Sequence, residues 1–209
     1  MHLKSVILLF FGSFICNSIL HGQEIHLGVK AAINYTDVLG NYFYENVKAK
    51  PSYEAGIFAE FPVRGKWTFH PEVLYVSRRT SVDFLDPRNF QEFSVDRKVD
   101  FHSQLLAVPL ITKYTINDSF SIELGPQLNF LLRAEGKSSG IEFEDDDELS
   151  FDIGPTLGVG YGLNDRFKLQ LRYFIGLSDV FRKENIVGYE INRDRYTSVF
   201  QLGLGYVIF

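Results

Sequence analysis

Residues 120–132 read Phe120-Ser121-Ile122-Glu123-Leu124-Gly125-Pro126-Gln127-Leu128-Asn129-Phe130-Leu131-Leu132. Every second residue, from Phe120 through Ile122, Leu124, Pro126, Leu128 and Phe130 to Leu132, is apolar. The residues between are mostly polar or glycine. A period of two is that of a β-strand, whose side chains alternate between two faces. The run is also long. A strand of ~10 residues tilted by ~45° crosses the ~25 Å apolar band of an outer membrane.

The same period returns along the chain, as in Ile25, Leu27, Val29, Ala31 and Ile33. It is equally clear in Phe151, Ile153, Pro155, Leu157, Val159, Tyr161 and Leu163, and in Phe167, Leu169, Leu171, Tyr173, Ile175 and Leu177. Eight strands are predicted, over residues 24–34, 52–62, 67–78, 99–114, 120–134, 150–163, 167–177 and 195–209. The fourth is the least regular, because Leu105 to Ile111 is continuously apolar. Pro109 within it cannot donate a ladder hydrogen bond, so a bulge or local break is expected there.

Arg64-Gly65-Lys66, Thr115–Ser119 and Asn164-Asp165-Arg166 read as short turns, and long polar segments separate the other strands. The connections therefore alternate long and short. Antiparallel neighbours joined this way gather the long connections at one end, with the short turns and both termini at the other. The expected fold is all-β: an eight-stranded antiparallel up-and-down transmembrane β-barrel. Closure leaves no exposed strand edge.

The N-terminus reads as a cleaved secretory signal, with Lys4 ahead of an apolar run from Val6 to Ile15. Residues 1–22 are assigned to the signal peptide and 23–209 to the barrel. Cys16, the one cysteine, falls in the removed part, and Ile15 precedes it where lipid attachment requires a small residue. The mature chain then has no disulfide, thiol nucleophile or cysteine metal site. Without Lys4, 20 basic and 26 acidic residues leave a net charge of −6. No basic patch stands out, so nucleic acid is not an expected partner.

Alternation alone fits a soluble barrel that binds a small apolar ligand as well as a membrane barrel turned inside out. Strand length favours the membrane. So do aromatic residues at strand ends (Trp67, Phe69, Phe120, Tyr161, Phe167, Tyr206), which suit interfacial girdles. The polar face carries both signs of charge and many glycines, as a filled interior would. Eight strands leave room for packed side chains and no open pore. Glu54, Glu60, Glu72 and Glu123 are expected to pair inside with Lys30, Lys168, Arg172 and Arg133, with His70 in the same network, because buried charges must be paired.

No catalytic constellation emerges. His102 and Ser103 are adjacent and so point to opposite faces, while His70 and Glu72 have no serine near them in sequence. The acidic run Glu142, Glu144, Asp145, Asp146, Asp147 and Glu148 lacks the glycine and spacing of an EF-hand loop and reads as a solvated loop. Arg78-Arg79 and Arg193 to Arg195 lie at the outer strand ends, where they either meet anionic headgroups or simply cap the barrel. No cofactor, metal or enzymatic activity is expected.

Four short motifs carry a family resemblance. Leu106-Ala107-Val108-Pro109-Leu110-Ile111-Thr112-Lys113-Tyr114 and Glu123-Leu124-Gly125-Pro126-Gln127-Leu128-Asn129-Phe130-Leu131-Leu132 are followed by Phe151-Asp152-Ile153-Gly154 with Gly158-Val159-Gly160-Tyr161, and by Leu171-Arg172-Tyr173-Phe174-Ile175-Gly176-Leu177-Ser178. In this order and spacing they resemble strands of the PorT-like outer-membrane β-barrel proteins of Bacteroidetes. The resemblance implies an integral outer-membrane protein with long loops extracellular and termini periplasmic. The C-terminal Tyr206-Val207-Ile208-Phe209 resembles the signal read by the barrel-assembly machinery, although strict alternation leaves Phe209 on the wrong face. The expected function is structural or surface-interacting, with outer-membrane lipid, lipopolysaccharide and an unidentified protein as partners. A component of a type IX-like secretion or envelope-assembly machinery is the alternative.

Overall fold

The computed structural model describes residues 25–39, 45–85, 95–138, 141–144, 151–177, 185–186, 189–190 and 196–209. The expected signal peptide, Asp145 to Glu148 and Arg193 to Arg195 fall outside them. The strands are β1 (His26–Leu39), β2 (Glu45–Ala49), β3 (Pro51–Arg64), β4 (Trp67–Leu85), β5 (Val95–Thr115), β6 (Phe120–Ser138), β7 (Ile141–Glu144), β8 (Phe151–Gly162), β9 (Phe167–Ile175), β10 (Asn185–Ile186), β11 (Tyr189–Glu190) and β12 (Tyr196–Val207). No helix occurs among the described residues.

Eight of these close a ring. β1 pairs β3, followed by β4, β5, β6, β8, β9 and β12, and β12 returns antiparallel to β1 with Gly28 opposite Val207 and Leu39 opposite Tyr196. Each barrel strand therefore pairs with its neighbours in barrel order, and the fold is an up-and-down barrel. The short strands lie outside the ring: β2 pairs β4, β7 pairs β6, and β10 pairs β11.

The apolar half of the alternation faces outward. Ile33 is 64% exposed, Leu124 56% and Leu157 57%, whereas Glu72, Glu123 and His70 are at most 1% exposed. A soluble barrel would bury the first set and wet the second, so this surface is built for hydrocarbon. The short-turn end carries three cross-strand aromatic pairs with centroids 4.8–5.0 Å apart: Trp67–Tyr114, Phe120–Tyr161 and Phe167–Tyr206. Each such pair contributes about 0.5–1.5 kcal/mol beyond its buried area.

The turns there satisfy their own backbone. Asn117 Oδ1 accepts from Ser119 N and Phe120 N, and Asn164 Oδ1 accepts from Arg166 N and Phe167 N, all at 2.7–3.0 Å. Gly65, at φ 58°, supplies the left-handed residue of the third turn. The chain end lies alongside β1: Leu27 N donates to Phe209 O at 3.1 Å, and the Phe209 side chain is exposed.

Of the bulge or local break expected at Pro109 the structure has the break, and the expected strand lengths are corrected. No register shift occurs at Pro109; the pairing lapses briefly on both sides of it and resumes with the same offset. The bulge lies instead where Gln104 faces Arg133 and Leu105 faces Leu131, so that Leu132 is the extra residue. The strands also run further than the apolar pattern indicates. β4 continues to Leu85, β5 begins at Val95 and β6 ends at Ser138, so the sheet projects beyond the apolar band at the long-connection end. Polar residues interrupt the apolar period there, as at Arg79–Ser81, Asp96–Lys98 and Glu135, Lys137 and Ser138.

Gly125 sits at the lapse beside Pro109. A Cβ added there would collide with the Leu110 carbonyl oxygen and lie 2.9 Å from Ile111 Cα, whereas one added to Gly65 meets nothing within 4 Å. Gly125→Val is therefore expected to destabilise the barrel by ~1–3 kcal/mol or more. Gly65→Asn should leave it within ~1 kcal/mol. Urea unfolding in lipid vesicles, read by heat-modifiable migration, measures both.

Candidate functional site

The densest chemistry lies inside the barrel, where alternate residues of several strands point at one another across a narrow bore. Lys30 comes from β1, Glu54 and Glu60 from β3, and His70 and Glu72 from β4. Glu123 comes from β6, and Lys168 and Arg172 from β9. Apart from Lys168, all are buried.

Their contacts form a closed circuit. His70 Nδ1 lies 3.2 Å from Glu60 Oε1 and His70 Nε2 lies 2.7 Å from Glu72 Oε1. Arg172 Nη2 approaches Glu72 Oε1 at 2.7 Å and Arg172 Nε donates to Glu123 Oε2 at 2.6 Å. Lys113 Nζ lies 3.4 Å from Glu123 Oε1 and donates to Glu60 Oε1 at 3.0 Å, which completes the circuit. Lys168 Nζ donates to Glu60 Oε2 at 2.5 Å. On the other side Lys30 Nζ donates to Glu72 Oε2 at 2.8 Å and lies 3.7 Å from Glu54 Oε1. Gln201 of β12 joins the two, accepting from Lys30 at 3.0 Å and donating to Glu54 at 2.5 Å. Four lysine or arginine charges thus meet four glutamates.

Small residues make room for this circuit. A Cβ on Gly158 of β8 would meet Arg172 Cγ, and one on Gly160 would meet Ser121 Oγ and Glu123 Oε1. The glycines of β8 therefore leave space for the charged side chains of β6 and β9. Gly28 of β1 likewise leaves space for Phe58, whose ring stacks on His70 with centroids 4.8 Å apart.

Arg133 is the exception among the expected residues. It points outward and pairs with Glu135 at 2.7 Å, with both side chains well exposed. The bulge at Leu132 is the reason. One extra residue inverts the parity of the strand beyond it, so Arg133 exchanges the inner face for the outer. Lys113 joins the circuit although it stands outside the expected network. Leu105, Ala107, Pro109 and Ile111 are buried, which counts by twos to Lys113. The continuous apolar run hid that parity because part of the interior is itself apolar: Leu74, Val76, Leu105 and Ala107 form a buried cluster with Leu131 packed against it. A second contact invisible in the sequence joins Ser77 Oγ and His102 Nε2 at 2.9 Å across β4 and β5. Ser77 is 1% exposed, so no substrate reaches its hydroxyl.

Among the described residues the interior holds a cavity of about 10 Å³ on the long-connection side of the circuit. A cavity of about 130 Å³ lies at the short-turn mouth, between Lys113, Lys168 and Gln170. The charged circuit lies between them as a plug. In planar bilayers the native barrel is accordingly expected to pass no steady ionic current, and regular open-channel steps would contradict a filled bore. Arg172→Met removes the cation shared by Glu72 and Glu123, leaves three cations against four glutamates, and should cost ~3–5 kcal/mol. Adding Glu123→Gln, which sets three cations against three glutamates again, should recover part of that loss. Arg133→Ala should stay within ~0.5 kcal/mol, as an exposed pair does. Urea unfolding in vesicles separates the three variants.

Solved structures of similar shape include Ail, the attachment invasion locus protein of Yersinia pestis, in complex with the heparin analogue sucrose octasulfate. It is 17% identical, with 88% of this chain and 99% of that chain covered and a TM-score of 0.49. Neisserial surface protein A is 11% identical, with 87% and 97% covered and a TM-score of 0.49. OprG from Pseudomonas aeruginosa is 14% identical, with 88% and 94% covered and a TM-score of 0.43. No curated protein matches the chain. The model of the outer membrane protein β-barrel domain matches residues 20–182, most of the chain, and the protein belongs to that family.

Proposed function

We propose that this outer-membrane barrel works at the bacterial surface through its long-connection end, as a non-enzymatic structural or interaction protein. The observation that carries this reading is the projection of β4, β5 and β6 beyond the apolar band, widened by β2 on β4 and β7 on β6. The bore is filled by paired charges, so a partner has the projecting sheet and the connections around it to bind. The short turns satisfy their own backbone and project little. In this reading the long connections are extracellular and the short turns periplasmic.

Outward-facing Arg79, Arg133 and Glu135, with His102 between the strands that carry them, lie just past the apolar row of Tyr75, Leu106 and Phe130. This position suits contact with lipopolysaccharide headgroups at the outer boundary of the hydrocarbon. The C-terminal strand would be read by the barrel-assembly machinery during insertion. The motif order shared with PorT-like proteins of Bacteroidetes supports a second reading, a role in secretion or envelope assembly.

The mature chain would carry no cysteine, so single cysteines report orientation. In intact cells a membrane-impermeant maleimide is expected to label Ser81→Cys on the projecting part of β4. Lys66→Cys at the short turn should react only after the outer membrane is permeabilised. The reverse pattern would overturn the orientation. Deletion of the gene separates the two roles: unchanged export of surface proteins with altered surface binding favours the interaction role, and impaired export favours the machinery.

A further inference from the structure

The cavity of about 10 Å³ on the long-connection side of the charged circuit is bordered by Asn34, Glu54, Arg78, Asn129 and Arg172. That is the space of one water-sized body. The surrounding amides have fixed orientations. Asn34 Nδ2 donates to Glu54 Oε2 at 2.8 Å, which leaves Asn34 Oδ1 free. Asn129 Oδ1 accepts from Gln127 Nε2 at 3.0 Å, and Gln127 Oε1 in turn accepts from Thr156 Oγ1 at 3.2 Å, which leaves Asn129 Nδ2 free. Turning either amide over would set like against like. Arg78 Nε and Arg172 Nη1 are also buried without a hydrogen-bond partner among the described residues. Asn34, Asn129 and Arg172 are each 2% exposed.

Four residues that border one small space thus each carry a buried, unpartnered polar atom, three of them N–H donors and one a carbonyl acceptor. Buried groups of this kind are almost always paired. The occupant must both accept and donate. A halide only accepts, so it would leave Asn34 Oδ1 unpaired and lie beside the Glu54 carboxylate. A cation would face two guanidinium groups.

We infer that this cavity is a binding site for a single resident water molecule that joins the charged circuit to Arg78. The water accepts from Asn129 Nδ2 and from an arginine N–H, and it donates to Asn34 Oδ1. It thereby links β1 to β6 across the bore. It also carries the polar network from Arg172 toward the long-connection end.

Crystals of the native barrel grown from detergent, at a resolution that shows other ordered waters, should contain one spherical density peak at hydrogen-bond distance from both Asn34 Oδ1 and Asn129 Nδ2. A bromide soak should leave it without anomalous signal. In micelles, the Asn129 side-chain amide should show a cross-relaxation peak to a long-lived water. Asn129→Leu should abolish the density and leave heat-modifiable migration intact. An anomalous bromide peak would reassign the site to a halide. Absent density beside well-ordered neighbouring waters would overturn it. Should Asn129→Leu not fold, the native density and cross-relaxation peak decide the matter alone.

Discussion

The bilayer core offers no hydrogen bonds, so every backbone N–H and C=O that enters it must find a partner within the chain. The pairing of β1 with β12, from Gly28 opposite Val207 to Leu39 opposite Tyr196, is where that constraint is met. It removes the two edges an open sheet would expose, and other features follow from closure. A ring of eight strands has a bore only wide enough for side chains. The lipid takes the apolar residues, and the bore receives what remains. The polar interior is therefore a consequence of the solvent outside.

Filling that bore with charge carries a cost, because each ion leaves water for a low-dielectric surrounding. The structure offsets it by giving each ion several partners. Glu60 meets His70, Lys113 and Lys168, while Glu72 meets Lys30, His70 and Arg172. Such an arrangement tolerates little slippage. A one-residue shift of any strand would turn its charged residue out to lipid and leave its partners bare inside. The glycines of β8 belong to the same arrangement, since the guanidinium of Arg172 reaches Glu123 across the space they leave.

Barrel architecture was legible in residues 120–132, and so was the assignment of faces along most strands, because both follow from a period of two and from the alternation of long and short connections. What the sequence concealed has identifiable physical causes. Arg133 was placed inside because a bulge leaves no mark in a hydrophobicity pattern, and Leu132 reads as an ordinary member of the apolar face. Lys113 is hidden in the sequence because Leu105 and Ala107 join an apolar cluster within the bore, so both faces of that strand read alike. The strand ends beyond Arg78 and Ala134 read as loop in the sequence because polar residues interrupt the period of two there. The three-dimensional pairing of Glu72 with both Lys30 and Arg172 lies beyond sequence reading, since it depends on register between strands far apart in the chain.

The circuit through Glu60, His70, Glu72, Arg172, Glu123 and Lys113 spans five strands with contacts of 2.6–3.4 Å. Side chains of fixed length can close such a loop only across a bore of one width. Two more strands would spread the donors and acceptors out of reach, and two fewer would force them into collision. The interior ions therefore act as a gauge of circumference: by rewarding a single diameter, they count the strands.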